Sequence, residues 1–242
     1  MCFSAEASFG AGVVLSAFGI AAVLKAKTPG QMIFAITPLV FAVQQFGEGV
    51  VWLSLTYENY AGWQQAATYF FLIFSQVIWP VWVPLVTMIL EKDKTRKIAL
   101  LVIFGIGVFL SSFLLYTILF FPQYSNANGQ HIQYISDFKG GFLTDILFPI
   151  LYITATILPL FISSVKRMKL LGAMILLFSL IAHAFYREYE ISVWCFFSAL
   201  TSAMICGMIY DLVNSETKKI TVVTAEVKEI IEEKPPEQSA TN

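Results

Sequence analysis

Two residues in this sequence bring titratable chemistry into apolar surroundings. Glu48 lies in a run with no other charged residue between Lys27 and Glu58, and His183 lies in a second run, four residues after Ser179 and four before Arg187. An ionisable group in hydrocarbon costs about 2.5–3.5 kcal/mol on insertion scales, so one that persists there faces a cavity or a partner. Gln44, Glu48 and Trp52 recur at intervals of four with Gln45 beside them, which puts all of them on one stripe of a helix. Burial favours the neutral form of a carboxyl, and an imidazole titrates near neutrality. Set at one depth, such a pair is suited to passing a proton, holding a small polar ligand or sharing a metal.

Other residues are placed to join them. Asp145 opens the fifth apolar run with Tyr152 and Thr156 on its side, and Tyr116 pairs with Ser112 in the fourth. Trp194 and Cys195 open the last run, followed by Ala199, Ser202 and Cys206 along a face of small residues that suits close helix packing. Cys2, Glu48, His183 and Cys195 offer acceptable metal ligands, although no diagnostic spacing links them. Removal of Met1 would leave Cys2 as a terminal thiol with its own amine as base, the arrangement used by N-terminal nucleophiles. Three cysteines are too few for a disulfide scaffold or a zinc ribbon, and a pairing of Cys2 with Cys195 stays open.

These residues must be positioned by helices in a membrane. Of 242 residues, 57% are hydrophobic and only 31 are charged (15 Lys and Arg, 16 Asp and Glu), against about a quarter charged in water-soluble domains. Ten of those charges fall between Glu216 and Glu237, so the body is poorer still. The net charge is −1, with no basic field, which excludes a nucleic-acid partner; the expected partners are the lipid bilayer and a small-molecule or lipid ligand. A spanning helix needs roughly 20 apolar residues. Seven stretches qualify: residues 5–24, 31–55, 65–90, 98–121, 144–164, 170–186 and 191–213. The first has no basic residue before it and no cleavage site after it, so it is expected to be retained rather than removed as a signal.

The basic residues orient the bundle. Lys25, Lys27, Lys92, Lys94, Arg96, Lys97, Lys166, Arg167 and Lys169 share one face with Lys218, Lys219, Lys228 and Lys234 of the tail, and only Lys139 and Arg187 lie on the other. Thirteen against two predicts the N-terminus outside and the C-terminus in the cytoplasm, in agreement with an odd number of spans. The expected fold is therefore an all-α integral membrane bundle of seven helices over 1–213, in a bacterial inner membrane, with a polar cytoplasmic tail over 214–242. In that tail Ile220, Val223, Val227 and Ile231 have the spacing of a short amphipathic helix.

The long connection, residues 122–143, lies on the outer face and reads as a surface loop, with a lid over an outward pocket as the alternative. Pro80 and Pro84, beside Trp79 and Trp82, predict a kink in the third span. The prolines of the two halves do not align, which argues against a transporter built from repeats.

Several chemistries are excluded. A retinal Schiff base needs a lysine in the last span, and none stands between Arg187 and Lys218. The zinc site of the ceramidase and progestin/adipoQ-receptor superfamily needs three histidines, and only His131 and His183 exist. Phosphate-binding glycine loops, paired-cysteine haem motifs and nucleophile elbows are missing, so no cofactor is indicated.

The opening Met1-Cys2-Phe3-Ser4, the segment Gln44-Gln45-Phe46-Gly47-Glu48-Gly49-Val50-Val51-Trp52, the Trp79-Pro80 and Pro84 region and Trp194-Cys195 together resemble an uncharacterised family of bacterial multi-pass membrane proteins. The resemblance covers most of the membrane body and implies its topology; it highlights Cys2, Glu48 and Trp52 but supplies no reaction.

Three functional readings follow. The first is binding or translocation of a small solute, proton or lipid in an outward polar pocket lined by Glu48, His183, Gln44, Trp52, Asp145, Tyr116 and Trp194. The second is an intramembrane hydrolase using Cys2 or a metal held by Cys2, Glu48, His183 and Cys195. The third is an assembly component that docks a partner through its tail.

Overall fold

The computed structural model describes residues 4–185, 197, 200–215 and 224. It is mostly helical, with six helical stretches long and apolar enough to cross a membrane: Ala5–Lys25, Pro29–Thr56, Glu58–Leu90, Lys94–Phe120, Leu143–Ile162 and Met168–Phe185. Five match expected spans to within four residues at each end, and the third begins seven residues earlier than expected, at Glu58. The seventh expected span, 191–213, lies partly outside the described residues; its later part belongs to a helical segment over 200–215.

Local chemistry sets the helix starts. Helix α1 (Ala5–Lys25) is capped by Ser4, whose hydroxyl accepts from the Ala7 amide at 3.2 Å. Helix α2 (Pro29–Ala35) begins with a Thr28-Pro29-Gly30-Gln31 box: Thr28 Oγ1 accepts from the Gln31 amide at 3.3 Å, and Gln31 Oε1 accepts from the Lys27 amide at 2.9 Å. Pro38 cannot donate back to the preceding turn, and the chain bends at Ile36 before α3 (Thr37–Thr56). A 3-10 turn (Glu58–Trp63) leads into α4 (Gln64–Leu72), a π-helical turn (Ile73–Ile78) and α5 (Trp79–Leu90). Asp93 caps α6 (Lys94–Phe120) by accepting from the Arg96 amide at 2.8 Å. A second π-helical turn (Leu143–Leu147) precedes α7 (Phe148–Thr156), α8 (Leu158–Ile162) and α9 (Met168–Phe185).

The connection expected to be a loop is a β-hairpin, so the all-α expectation holds for the bundle and fails here. Strand β1 (Gln123–Asn128) pairs antiparallel with β2 (His131–Ser136), from Asn128 opposite His131 to Gln123 opposite Ser136. Gly129 takes φ 61° at the first turn position, where a side chain would be strained. The hairpin folds onto the helices. Ser125 Oγ accepts from Thr68 Oγ1 at 2.8 Å, Gln64 Nε2 donates to the Ser125 carbonyl at 2.8 Å, and Tyr134 stacks on Phe71.

Packing of α1 on α3 is antiparallel and interlocked: Phe46 fills the space beside Gly12, and Phe9 the space beside Gly49. Two apolar clusters result. One, at the end carrying the basic loops, joins Ala22, Phe34, Val86, Leu160, Met168 and Ile209. The other, under the hairpin, joins Ala5, Val51, Trp52, Ala67, Phe71 and Ile132. The outward surfaces are also apolar, with Val13, Leu24, Phe109, Leu119 and Leu177 each more than half exposed. Buried polar side chains inside and exposed aliphatic ones outside suit a hydrocarbon surround.

Candidate intramembrane polar site

Between the two apolar clusters, α3 carries a polar layer. Gln44, Gln45 and Glu48 are buried, Glu48 completely at 0% exposure. Gln45 Nε2 donates to Glu48 Oε2 at 3.2 Å, so the carboxyl has an amide partner one turn back on its own helix. Gln44 Oε1 accepts from the indole Nε1 of Trp79 at 2.8 Å, and Phe41 stacks on the Trp79 ring with centroids 4.0 Å apart. Trp52 lies a turn further along the stripe, buried under Ile132 of the hairpin in the apolar cluster.

The aim of Trp79 follows from its neighbour. Pro80 has no N–H for the preceding turn, and the helix widens into the π-helical turn Ile73–Ile78 just before it. Widening leaves carbonyls to be met from other helices. Tyr152 of α7 donates its hydroxyl to the Ser75 carbonyl at 2.6 Å, and Ser111 of α6 donates to the Val77 carbonyl at 2.6 Å. Pro84 in turn leaves the Pro80 carbonyl without its helical donor, and Gly107 of α6 packs against it so closely that a Cβ there would lie 1.9 Å from the oxygen. Two helices thus hold the kink, and the kink holds Trp79 over Gln44.

Among the described residues Ser8 Oγ on α1, which is buried, has no hydrogen-bond partner, whereas Ser16 on the same helix bonds back to the Gly12 carbonyl at 2.8 Å. Ser8 adjoins Phe9, which rests on Gly49 beside Glu48.

Of the remaining expected site residues, His183, Tyr116 and Asp145 are described. His183 is exposed near the end of α9, and no hydrogen bond or ion pair among the described residues joins it to Glu48. Tyr116 is 48% exposed in an aromatic group with Phe113, Phe120 and Phe121, and Ser112 bonds only to its own helix at the Val108 carbonyl. The inward-facing hydroxyl is that of Ser111, one position and about 100° round the helix. Asp145 is exposed and accepts from Thr144 Oγ1 at 3.0 Å. Cys2, Trp194 and Cys195 lie outside the described residues. Among the described residues no three His, Cys, Asp or Glu side chains gather as metal ligands.

A carboxylate at the basic end escaped the sequence reading. Glu91, 1% exposed, ends α5 and accepts from the Ser164 amide at 2.6 Å, Ser164 Oγ at 2.5 Å, the Lys92 amide at 2.9 Å and the Asp93 amide at 3.0 Å. Burial alone would raise its pKa; the Ser164 hydroxyl and amide, with the Asp93 and Lys92 amides, overcome that and lower it to about 2. A signal was available, because an acid at a helix C-terminus opposes the macrodipole and needs donors of its own.

The architecture defines an α-helical protein with a buried carboxyl layer between two apolar clusters, capped at one end by a hairpin. The chain belongs to a family of unknown function, DUF6629, whose match covers residues 1–219. No curated protein and no solved structure matches it.

Proposed function

We propose that this chain is a multi-pass protein of the bacterial inner membrane that binds or translocates a small solute or lipid, with Glu48 as the group that takes up a proton. In this reading the bundle has seven spans, the N-terminus and the hairpin are outside and the C-terminus is in the cytoplasm, as the thirteen-to-two division of basic residues favours. The observation that carries it is the complete burial of Glu48, one turn before Val51 and Trp52 of the cluster under the hairpin, with the Gln45 amide donating to its carboxyl. A carboxyl cut off from water exchanges its proton only when solvent, a cation or a ligand donor reaches it. The Ser8 hydroxyl, buried and without a hydrogen-bond partner among the described residues, supplies a second polar group. His183, exposed on α9, is a further polar group of this reading.

The test is infrared difference spectroscopy of the protein in lipid during a pH titration. A protonated-carboxyl C=O band is expected in the wild type and absent in Glu48→Gln, while thermal stability is retained because Gln can still accept from Gln45. An unchanged band in Glu48→Gln removes Glu48 from the mechanism. Solute or lipid retention measured on the same two proteins then shows whether ligand and proton share the site.

A further inference from the structure

At the opposite end of the bundle, between α8 and α9, the chain forms a hollow of about 340 Å³ lined by Arg96, Ser163, Ser164, Lys166, Arg167 and Lys169. Among the described residues four cations and no acid line it. Its floor is fixed from three directions. Glu91 grips the Ser164 amide and hydroxyl, Arg96 Nη1 donates to the Ile162 carbonyl at 2.9 Å, and Arg167 pairs with Asp211 of the 200–215 segment at 2.7 Å. Arg167 holds φ 67°, the one positive φ at a non-glycine residue among those described, so this turn keeps a conformation that costs energy.

The nearby acids already have partners, and one of them, Asp211, neutralises Arg167 of the lining. Glu91 accepts four hydrogen bonds, Asp93 caps α6, and Asp211 pairs with Arg167. Lys166 and Lys169 have no carboxylate partner among the described residues, although both are exposed at the rim of the hollow. Two ammonium groups with no carboxylate partner among the described residues, beside a guanidinium and a serine loop, make a receptor for a phosphate dianion or phosphodiester.

We infer that this hollow binds the phosphate of an anionic phospholipid headgroup. The location favours lipid over free phosphate: the hollow joins the ends of two stretches long and apolar enough to cross a membrane, which is headgroup depth. Leu170 and Leu177, both more than half exposed, lie two turns apart on α9 and extend an apolar track from Lys169 for an acyl chain. The inference is independent of the Glu48 reading, because it concerns other helices and the other end of the bundle.

The test compares phosphatidylglycerol with phosphatidylcholine binding to the full-length protein in detergent by native mass spectrometry. The variants are Lys166→Gln/Lys169→Gln and, as a charge-matched control on the same face, Lys25→Gln/Lys27→Gln. Phosphatidylglycerol is expected to be retained over phosphatidylcholine, with roughly a tenfold loss of that preference in the first variant and little change in the second. Equal losses in both variants would reduce the effect to diffuse surface charge and overturn the site. No preference in the wild type would overturn it outright. Complete displacement of phosphatidylglycerol by excess inorganic phosphate would assign the hollow to a free anion and overturn the lipid source. Unfolding curves of the three proteins in phosphatidylcholine alone separate loss of fold from loss of binding.

Discussion

Trp79 donates its indole N–H to Gln44 Oε1 at 2.8 Å, joining the kinked third span to the helix that carries Glu48. Both residues are buried, so neither group has water to fall back on. Trp79→Phe keeps the stacking on Phe41 but removes the indole donor from Gln44 Oε1, and Gln44→Leu removes the acceptor from the indole. Each is expected to cost about 1–3 kcal/mol, and the double variant less than the sum. Unfolding in mixed micelles of the four proteins gives the coupling; strict additivity would show that the bond contributes nothing.

The contact of Gly107 with the Pro80 carbonyl makes a sharper prediction. A methyl at position 107 would have to displace backbone, since a Cβ would stand 1.9 Å from that oxygen, whereas Gly105, one turn side away, has nothing within 4 Å. Gly107→Ala is expected to destabilise by about 3 kcal/mol or more and to disturb Trp79 fluorescence. Gly105→Ala should be neutral or slightly stabilising, by up to about 1 kcal/mol. Similar melting temperatures for the two would refute the close approach.

Much of this arrangement was legible in the sequence, and the parts that were not share a cause. Apolar runs found six of the spans because length and hydropathy are local properties, and the Gln44-Gln45-Glu48-Trp52 stripe was found because helical spacing is local too. The kink was legible from Pro80 and Pro84, but its support from Tyr152, Ser111 and Gly107 depends on which faces of three helices meet. Choosing Ser112 over Ser111 shows how a one-residue difference becomes a rotation of about 100°. The common depth of His183 and Glu48 is legible from span boundaries, but depth does not fix the direction a helix faces. The hairpin was missed for a different reason. Asn128-Gly129 and the alternation of Ile132 and Tyr134 with polar neighbours are strand signals, outweighed in the reading by the surrounding turn residues.

Glu91 predicts a pH dependence at the acid end. Its folded pKa of about 2 lies below the ordinary value of 4.5, so its stabilising contribution is complete above pH 4.5 and is lost as pH falls toward 2. Glu91→Ala should therefore lower stability at neutral pH by about 1.5–3 kcal/mol and flatten the acid limb of the stability profile. Parallel acid limbs in wild type and variant would show that another group carries this dependence. Because Glu91 fixes Ser164, the same variant should also weaken phosphatidylglycerol binding at the neighbouring hollow.

Docking of the hairpin is expected to weaken in acid through His131. Burial holds this half-buried imidazole below its ordinary pKa of 6.5, so the docked state favours the neutral ring. For a base with a depressed folded pKa, the undocked chain takes up its proton first, so stability is full above about 6.5 and declines as pH falls through the folded value. Ile132, fully buried beside Trp52, and Ser125, bonded to Thr68, tie the strands to the helices, so protonation next to Ile132 acts on the cap itself. Hydrogen exchange across 123–136, corrected for the intrinsic pH dependence, should lose protection below pH 6.5 while the α1 and α3 amides keep theirs. His131→Gln should remove that dependence, and Ile132→Ala should lower hairpin protection at every pH by roughly 2–5 kcal/mol. Simultaneous loss of protection in hairpin and helices would mean that the hairpin does not open separately, and a cap that cannot open separately cannot admit a ligand to Glu48 from that end.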